Sequence, residues 1–117
     1  MEQDGKPAKP LIAAAAARAA TAVPGVARLE PGFTGLLAAA ARSLHRQVTG
    51  VDPVSTDGVR VSFEDGGARV EVDVVVSGRD PAADVGRAVQ RAVARAVRED
   101  TGVTPAAVVV KILDIAT

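Results

Sequence analysis

In the second half of the chain, apolar and polar residues first alternate and then recur every three or four positions. Val59, Val61 and Phe63 alternate with Arg60, Ser62 and Glu64. Val70, Val72, Val74 and Val76 alternate with Arg69, Glu71, Asp73 and Val75. A period of two is the signature of a strand with one buried face, so residues 59–76 are expected to form two strands. Gly66-Gly67 between them suits the positive backbone angles of a two-residue hairpin turn. That turn implies a register in which Asp65 faces Ala68, Glu64 faces Arg69, Phe63 faces Val70, Ser62 faces Glu71, Val61 faces Val72 and Arg60 faces Asp73. Two opposite-charge pairs then share one face, each contributing ~0.2–1 kcal/mol. The other face is apolar. The charged face is expected to meet water and the valine face to meet helices, since a one-residue slip would exchange them.

Beyond the hairpin the period changes. Val85, Ala88, Val89, Ala92, Val93, Ala96 and Val97 form a stripe at helical spacing, predicting a helix over residues 81–100. Asp80 is its expected N-cap, Pro81 its first helical residue and Gly102 its stop. The apolar run at 106–115 is a final strand. Strand, helix and strand of these lengths permit a parallel crossover.

The first half is less regular. Residues 1–10 are polar and interrupted by prolines, and are expected to be a disordered tail ahead of a single domain over 11–117. Residues 11–23 are alanine-rich and should be helical, since alanine loses no side-chain entropy in a helix. Pro24-Gly25 suits the centre of a type II turn, with a short strand at 26–29. Phe33, Leu36, Leu37, Ala40, Leu44 and Val48 recur at helical spacing and predict another helix over 33–48. Residues 51–58, with Asp52-Pro53 and Asp57-Gly58, are expected to be a loop.

Composition narrows the chemistry. Phe33 and Phe63 are the only aromatic residues, so the core must be built from small aliphatic side chains and its layers must approach closely. The 14 basic and 14 acidic residues cancel, which argues against whole-chain attraction to nucleic acid or membrane. There is no cysteine, which removes disulfides and thiolate chemistry. The apolar run at 11–17 is too short, and Arg18 ends it too soon, for a secretory signal or a membrane span.

No pattern of catalytic type emerges. His45, the only histidine, lies beside Arg42 and Arg46 on the polar side of the 33–48 helix and is expected to face solvent. The carboxylates Asp52, Asp57, Glu64, Asp65 and Asp73 show no metal-loop spacing. No catalytic, cofactor-binding or metal residue is assigned, and the chain is expected not to be an enzyme. Arg87, Arg91, Arg95 and Arg98 line one edge of the long helix. They are either a solvated face or a grip on an acidic partner or phosphates. The absence of Tyr and Trp weakens the nucleic-acid reading, since single-strand readers stack bases on aromatics.

Three segments in order carry a family resemblance. The first is the alanine-rich stretch closed by Val23-Pro24-Gly25-Val26-Ala27. The second is Gly58-Val59-Arg60-Val61 followed by Val70-Glu71-Val72-Asp73-Val74-Val75-Val76. The third is Val85-Gly86-Arg87-Ala88-Val89-Gln90 through Thr101-Gly102-Val103 and the valine-rich strand after it. Together they resemble the alkaline shock protein 23 family of envelope stress response proteins. The resemblance implies a cytoplasmic, non-enzymatic, bacterial α+β protein of envelope homeostasis, with no catalytic residues to transfer. It also implies self-association and a place at the inner face of the membrane through an anchor protein. Departures are Lys6-Pro7-Ala8-Lys9-Pro10 in place of a short strand-like lead, a longer connection over 31–57, and arginines on the long helix where the family often carries acids.

The expected fold is an α+β two-layer sandwich, a small mixed β-sheet with two or three helices on one face. The expected function is that of an adaptor or scaffold working through protein–protein contacts. Its candidate contact residues are Arg87, Arg91, Arg95 and Arg98, with Leu113 and Ile115 exposed near the C-terminus. The alternative is a small nucleic-acid-binding module using the arginines.

Overall fold

The hydrogen-bonding edges of one long strand organise the molecule. The computed structural model describes residues 9–31 and 58–116. The elements, in chain order, are α1 (Lys9–Thr21), β1 (Val26–Leu29), β2 (Val59–Glu64), β3 (Gly67–Val76), α2 (Ala82–Thr101) and β4 (Ala107–Ile115). The expected 33–48 helix, with Arg42, His45 and Arg46, lies outside the described residues, as do Asp52 and Asp57. Of the expected tail, residues 9 and 10 are helical: α1 begins at Lys9, and Pro10 falls in its first turn, where a missing N–H is tolerated.

β3 is central. Along one edge it pairs in parallel with β4, from Arg69↔Ala107 to Val76↔Ile115. Its other edge is shared end to end by two antiparallel strands, β2 along Gly67–Val72 and β1 along Val74–Val76. Asp73 stands at the junction. Its N–H donates to the Gly58 carbonyl (2.8 Å), and its carbonyl accepts from the Glu30 N–H (3.2 Å). Gly58 has φ +93°, and a Cβ there would lie 3.1 Å from both the Glu30 nitrogen and the Leu29 Cβ. The sheet is mixed, as expected, and α2 makes the parallel crossover from β3 to β4.

The hairpin corrects the predicted register. Glu64 faces Gly67, Phe63 faces Ala68, Ser62 faces Arg69, Val61 faces Val70, Arg60 faces Glu71 and Val59 faces Val72. The turn residues are Asp65 and Gly66, and neither has a positive φ. Gly67, at φ +118°, takes the left-handed position that follows. The pairing runs without a break from Glu64↔Gly67 to Val59↔Val72, so the loop is a tight two-residue turn followed directly by a glycine at positive φ. Each partner moves by two residues, so the faces are preserved although the pairs change.

Both described helices belong to one core cluster with the valine face. Val70, Val72, Val74 and Val76 of β3 are fully buried with Val89, Val93 and Val97 of α2. α1 buries Ile12, Ala13, Ala15, Ala16 and Ala20, more than a single stripe, because it touches β1, β2, β3 and α2 together. Its alanines let Cα atoms of α1 come within 8 Å of each of these elements. The close layering expected from a core without large side chains is therefore met by α1, which lies directly over the hairpin, while α2 packs on α1 and β4.

The ends of α2 divide. Gly102 (φ +78°) ends it, donating its N–H to the Arg98 carbonyl at 2.9 Å. At the start, the expected Asp80 cap is replaced by Pro81, whose carbonyl accepts from the Asp84 and Val85 N–H groups. Proline takes this place without loss because its fixed φ suits the approach to a helix.

Candidate functional site

The spacing that buries Val85, Val89, Val93 and Val97 turns the opposite flank of α2 outward. Arg87, Arg91, Arg95 and Arg98 are all exposed there. Arg87 is held by Asp84, one turn back, at 2.6 Å, and Arg95 lies 3.8 Å from Glu99. Arg91 and Arg98 have no carboxylate partner among the described residues. Arg91 and Arg95 flank Ala88 and Ala92, and these four line a shallow hollow on the helix surface. Two guanidinium groups beside two small apolar side chains suit an acidic group carried on an apolar surface.

Leu113 and Ile115 occupy a different place. They lie in the last part of β4, 40% and 51% exposed, beside Ile112 at 37%. Ile112 was missed by the sequence reading, because a continuous apolar run in a strand does not distinguish inner from outer positions. α2 passes close to this strand: a Cβ at Gly86 would lie 3.6 Å from the Ile112 Cδ1, and the Gln90 Nε2 donates to the Val108 carbonyl at 3.1 Å. The hollow is nevertheless lined by α2 alone, so the two candidate patches are separate.

The charged face of the sheet holds a third group. The Arg60 guanidinium donates from Nη1 to Asp73 Oδ2 (3.0 Å) and from Nη2 to Glu71 Oε1 (2.6 Å). Arg69 Nη2 donates to Glu71 Oε2 at 3.1 Å, and Lys111 Nζ stands 3.5 Å from Glu71 Oε1. The sequence reading expected this face to meet water, yet Asp73 is 1% exposed. The Arg60 hydrogen bond holds the Glu71 carboxyl down to about 2 against the cost of burial, with Arg69 and Lys111 adding to the effect. Asp73, through the same kind of bond, raises the Arg60 guanidinium. These groups cross-link β2, β3 and β4.

Among the described residues no cluster of His, Cys, Asp or Glu is placed to hold a metal ion, and no helix is long and apolar enough to cross a membrane. Residues 6–117 match the family model of the alkaline shock protein 23 family, which is described by a cell envelope-related function. The chain belongs to the alkaline shock protein 23 family. No curated protein and no solved structure matches it significantly. In this family member the Val23-Pro24-Gly25-Val26 element is the turn between α1 and β1, closed by the Val26 N–H on the Val23 carbonyl at 3.1 Å. Gly25 has φ +99°, as the third residue of a type II turn requires.

Proposed function

We propose that the chain is a non-enzymatic adaptor of the cell envelope that binds an acidic protein partner through the outer flank of α2. The observation that carries this is the pairing of Arg91 and Arg95 across the small apolar floor of Ala88 and Ala92. Membership of a family with a cell envelope-related function supplies the setting. The commitment of Arg60, Arg69, Glu71, Asp73 and Lys111 to bonds across the sheet supports a structural role for the charged face. On this reading the protein works at the cytoplasmic face of the membrane, held there by a membrane-anchored partner.

The test is fractionation of cells carrying the wild type or the double variant Arg91→Glu/Arg95→Glu, with photo-crosslinking from position 88 and identification of the captured protein. The wild type should distribute to the membrane fraction and crosslink one envelope protein. The double variant, folded by circular dichroism, should lose both. An unchanged distribution and crosslink in the double variant would discard the proposal.

A second reading draws on the same flank. Arg91 and Arg98, without carboxylate partners among the described residues, are available to phosphates. A nucleic-acid module would bind RNA or DNA with an affinity that falls steeply as salt rises, and the double variant would abolish it. No binding at low salt would remove this alternative.

A further inference from the structure

The outer edge of β4 is open over a short window that side chains close at both ends. Asp73 turns its N–H and carbonyl toward β1 and β2, so Val70, Val72 and Val74 turn theirs toward β4. In the parallel register that begins at Arg69↔Ala107, this phase sends the backbone groups of Val108, Val110 and Ile112 outward. Gln90 Nε2 of α2 takes the Val108 carbonyl at 3.1 Å. At the other end Asp114 Oδ1 takes the Ile115 N–H at 2.8 Å. Between them, the outward N–H and C=O groups of Val110 and Ile112 have no partner among the described residues. Unpaired edge groups of this kind are a template for an added strand.

The side chains around the window say what that strand would carry. Asp73 pairs with Lys111 and Val74 with Ile112, but Val75 pairs with Asp114, so Leu113 is the extra residue of a bulge. Lys111 and Asp114, three apart in sequence, therefore project from the same face. Lys111 Nζ lies 3.5 Å from Glu71 Oε1, yet its side chain remains 55% exposed, with protons to spare. An acidic residue placed across from Lys111 is attracted, and one placed across from Asp114 is repelled. On the opposite face Val110 packs against the core cluster, and Ile112 lies partly open beside Gly86 of α2.

The length of the window selects an occupant. From Val110 to Ile112 the strand runs about 10 Å. Pairing over that length falls far short of the roughly 1,200–2,000 Å² that a stable interface between folded proteins buries. It suits a few residues of extended chain, which gain main-chain hydrogen bonds from the edge and specificity from alternate side chains.

We infer that the β4 edge at Val110–Ile112 binds a short extended segment of a partner protein as an added strand, with an acidic residue opposite Lys111 and apolar residues on either side of it. This surface is separate from the α2 flank and does not depend on which protein binds there. If strand addition fails while membrane recruitment through Arg91 and Arg95 persists, this inference alone falls.

The test is amide exchange and chemical-shift titration of the full chain with the capped peptide Thr-Val-Glu-Val-Thr. At about millimolar peptide, exchange at Val110 and Ile112 should slow and their amide signals should shift. The peptide with lysine in place of glutamate should bind about threefold to tenfold more weakly. Lys111→Glu should reverse that preference, and Arg91→Glu/Arg95→Glu should leave it unchanged. The same peptide N-methylated at both valines loses its N–H donors and should give no protection; this control leaves the protein untouched, so it decides if a variant fails to fold. No protection by the glutamate peptide, equal protection by its N-methylated form, or an unchanged preference in folded Lys111→Glu would each overturn the inference. So would protection at Val110 and Ile112 that rises with protein concentration before any peptide is added, since a second copy would then hold the edge.

Discussion

Gly25 lies directly against Val85: a Cβ built on Gly25 would stand 2.7 Å from the Val85 Cγ2. The turn that ends α1 is therefore in contact with the first turn of α2, and Val85 is 3% exposed beneath that contact. The carbonyl of Gly25 also accepts the Ser77 N–H at 2.8 Å, tying the turn to the end of β3. Gly25→Ala should destabilise the fold by about 2–4 kcal/mol, through a positive φ and a steric overlap together. Gly102→Ala, at φ +78° with nothing within 4 Å, should show the backbone effect alone. Its expected cost is about 1 kcal/mol. Urea denaturation of the two variants separates these contributions. Combining Gly25→Ala with Val85→Ala should cost less than the sum of the single changes, because the overlapping methyl is gone.

Arg60 and Asp73 predict a second ordering. Asp73 is almost wholly buried, and Arg60 bonds both of its carboxylate oxygens, at 3.0 and 3.3 Å. Arg60→Met keeps much of the aliphatic stem but withdraws that charge, and should cost about 2–4 kcal/mol. Arg69 is more exposed and bonds Glu71. Arg69→Met should therefore cost less than about 1 kcal/mol. Equal losses from the two in denaturation would contradict this account.

How much of this was legible in the sequence depends on which physical effect decided each feature. Period-two alternation located β2 and β3 and their apolar face. The valine stripe located α2, and Gly102 its end. These are local, so the chain displays them. The hairpin pairing was missed by two residues because the choice lay between two turn chemistries, both rich in glycine, and only Gly67 takes a positive φ. The sharing of one β3 edge by β1 and β2 depends on pairing across a long stretch of sequence, and so does the burial of Asp73; alternation alone placed that carboxylate in water. For the candidate site, the arginine flank followed from helical spacing, and the exposure of Leu113 and Ile115 was expected. The bulge at Leu113 was not legible, because a run of apolar residues carries no mark of where a register breaks. That bulge is what sets Lys111 and Asp114 on one face.

The Glu71 carboxyl makes stability depend on acid. Its folded value is lowered from 4.5 to about 2, chiefly by the Arg60 hydrogen bond. A lowered carboxyl binds its proton more weakly in the folded state than in the unfolded chain. Its contribution is therefore fully present above the unfolded value and disappears as pH falls from about 4.5 through about 2. Glu71→Gln should reduce stability at neutral pH and flatten the decline over that window. Urea midpoints measured from neutral pH down to about 2 should converge for wild type and variant at the acid end. Parallel curves would show that Glu71 does not contribute in this way.

The hairpin turn separates two adjacent glycines. Gly66 has no positive φ, and a Cβ there would lie 4.0 Å from the Ala106 Cβ, an ordinary contact. Gly66→Ala should therefore change stability by no more than about 0.5 kcal/mol. Gly67 is at φ +118°, and a Cβ there would stand 3.5 Å from the same atom, so the space is adequate and the backbone is the obstacle. Gly67→Ala should cost about 1–3 kcal/mol. Were both glycines at the centre of the turn with positive φ, the two substitutions would cost alike. A large and equal loss from Gly66→Ala and Gly67→Ala in thermal denaturation would therefore favour the two-glycine turn and its register, with Arg60 opposite Asp73. A small loss at Gly66 and a large one at Gly67 distinguishes the turn centred on Asp65 and Gly66, in which Arg60 stands opposite Glu71 and reaches Asp73 on the diagonal.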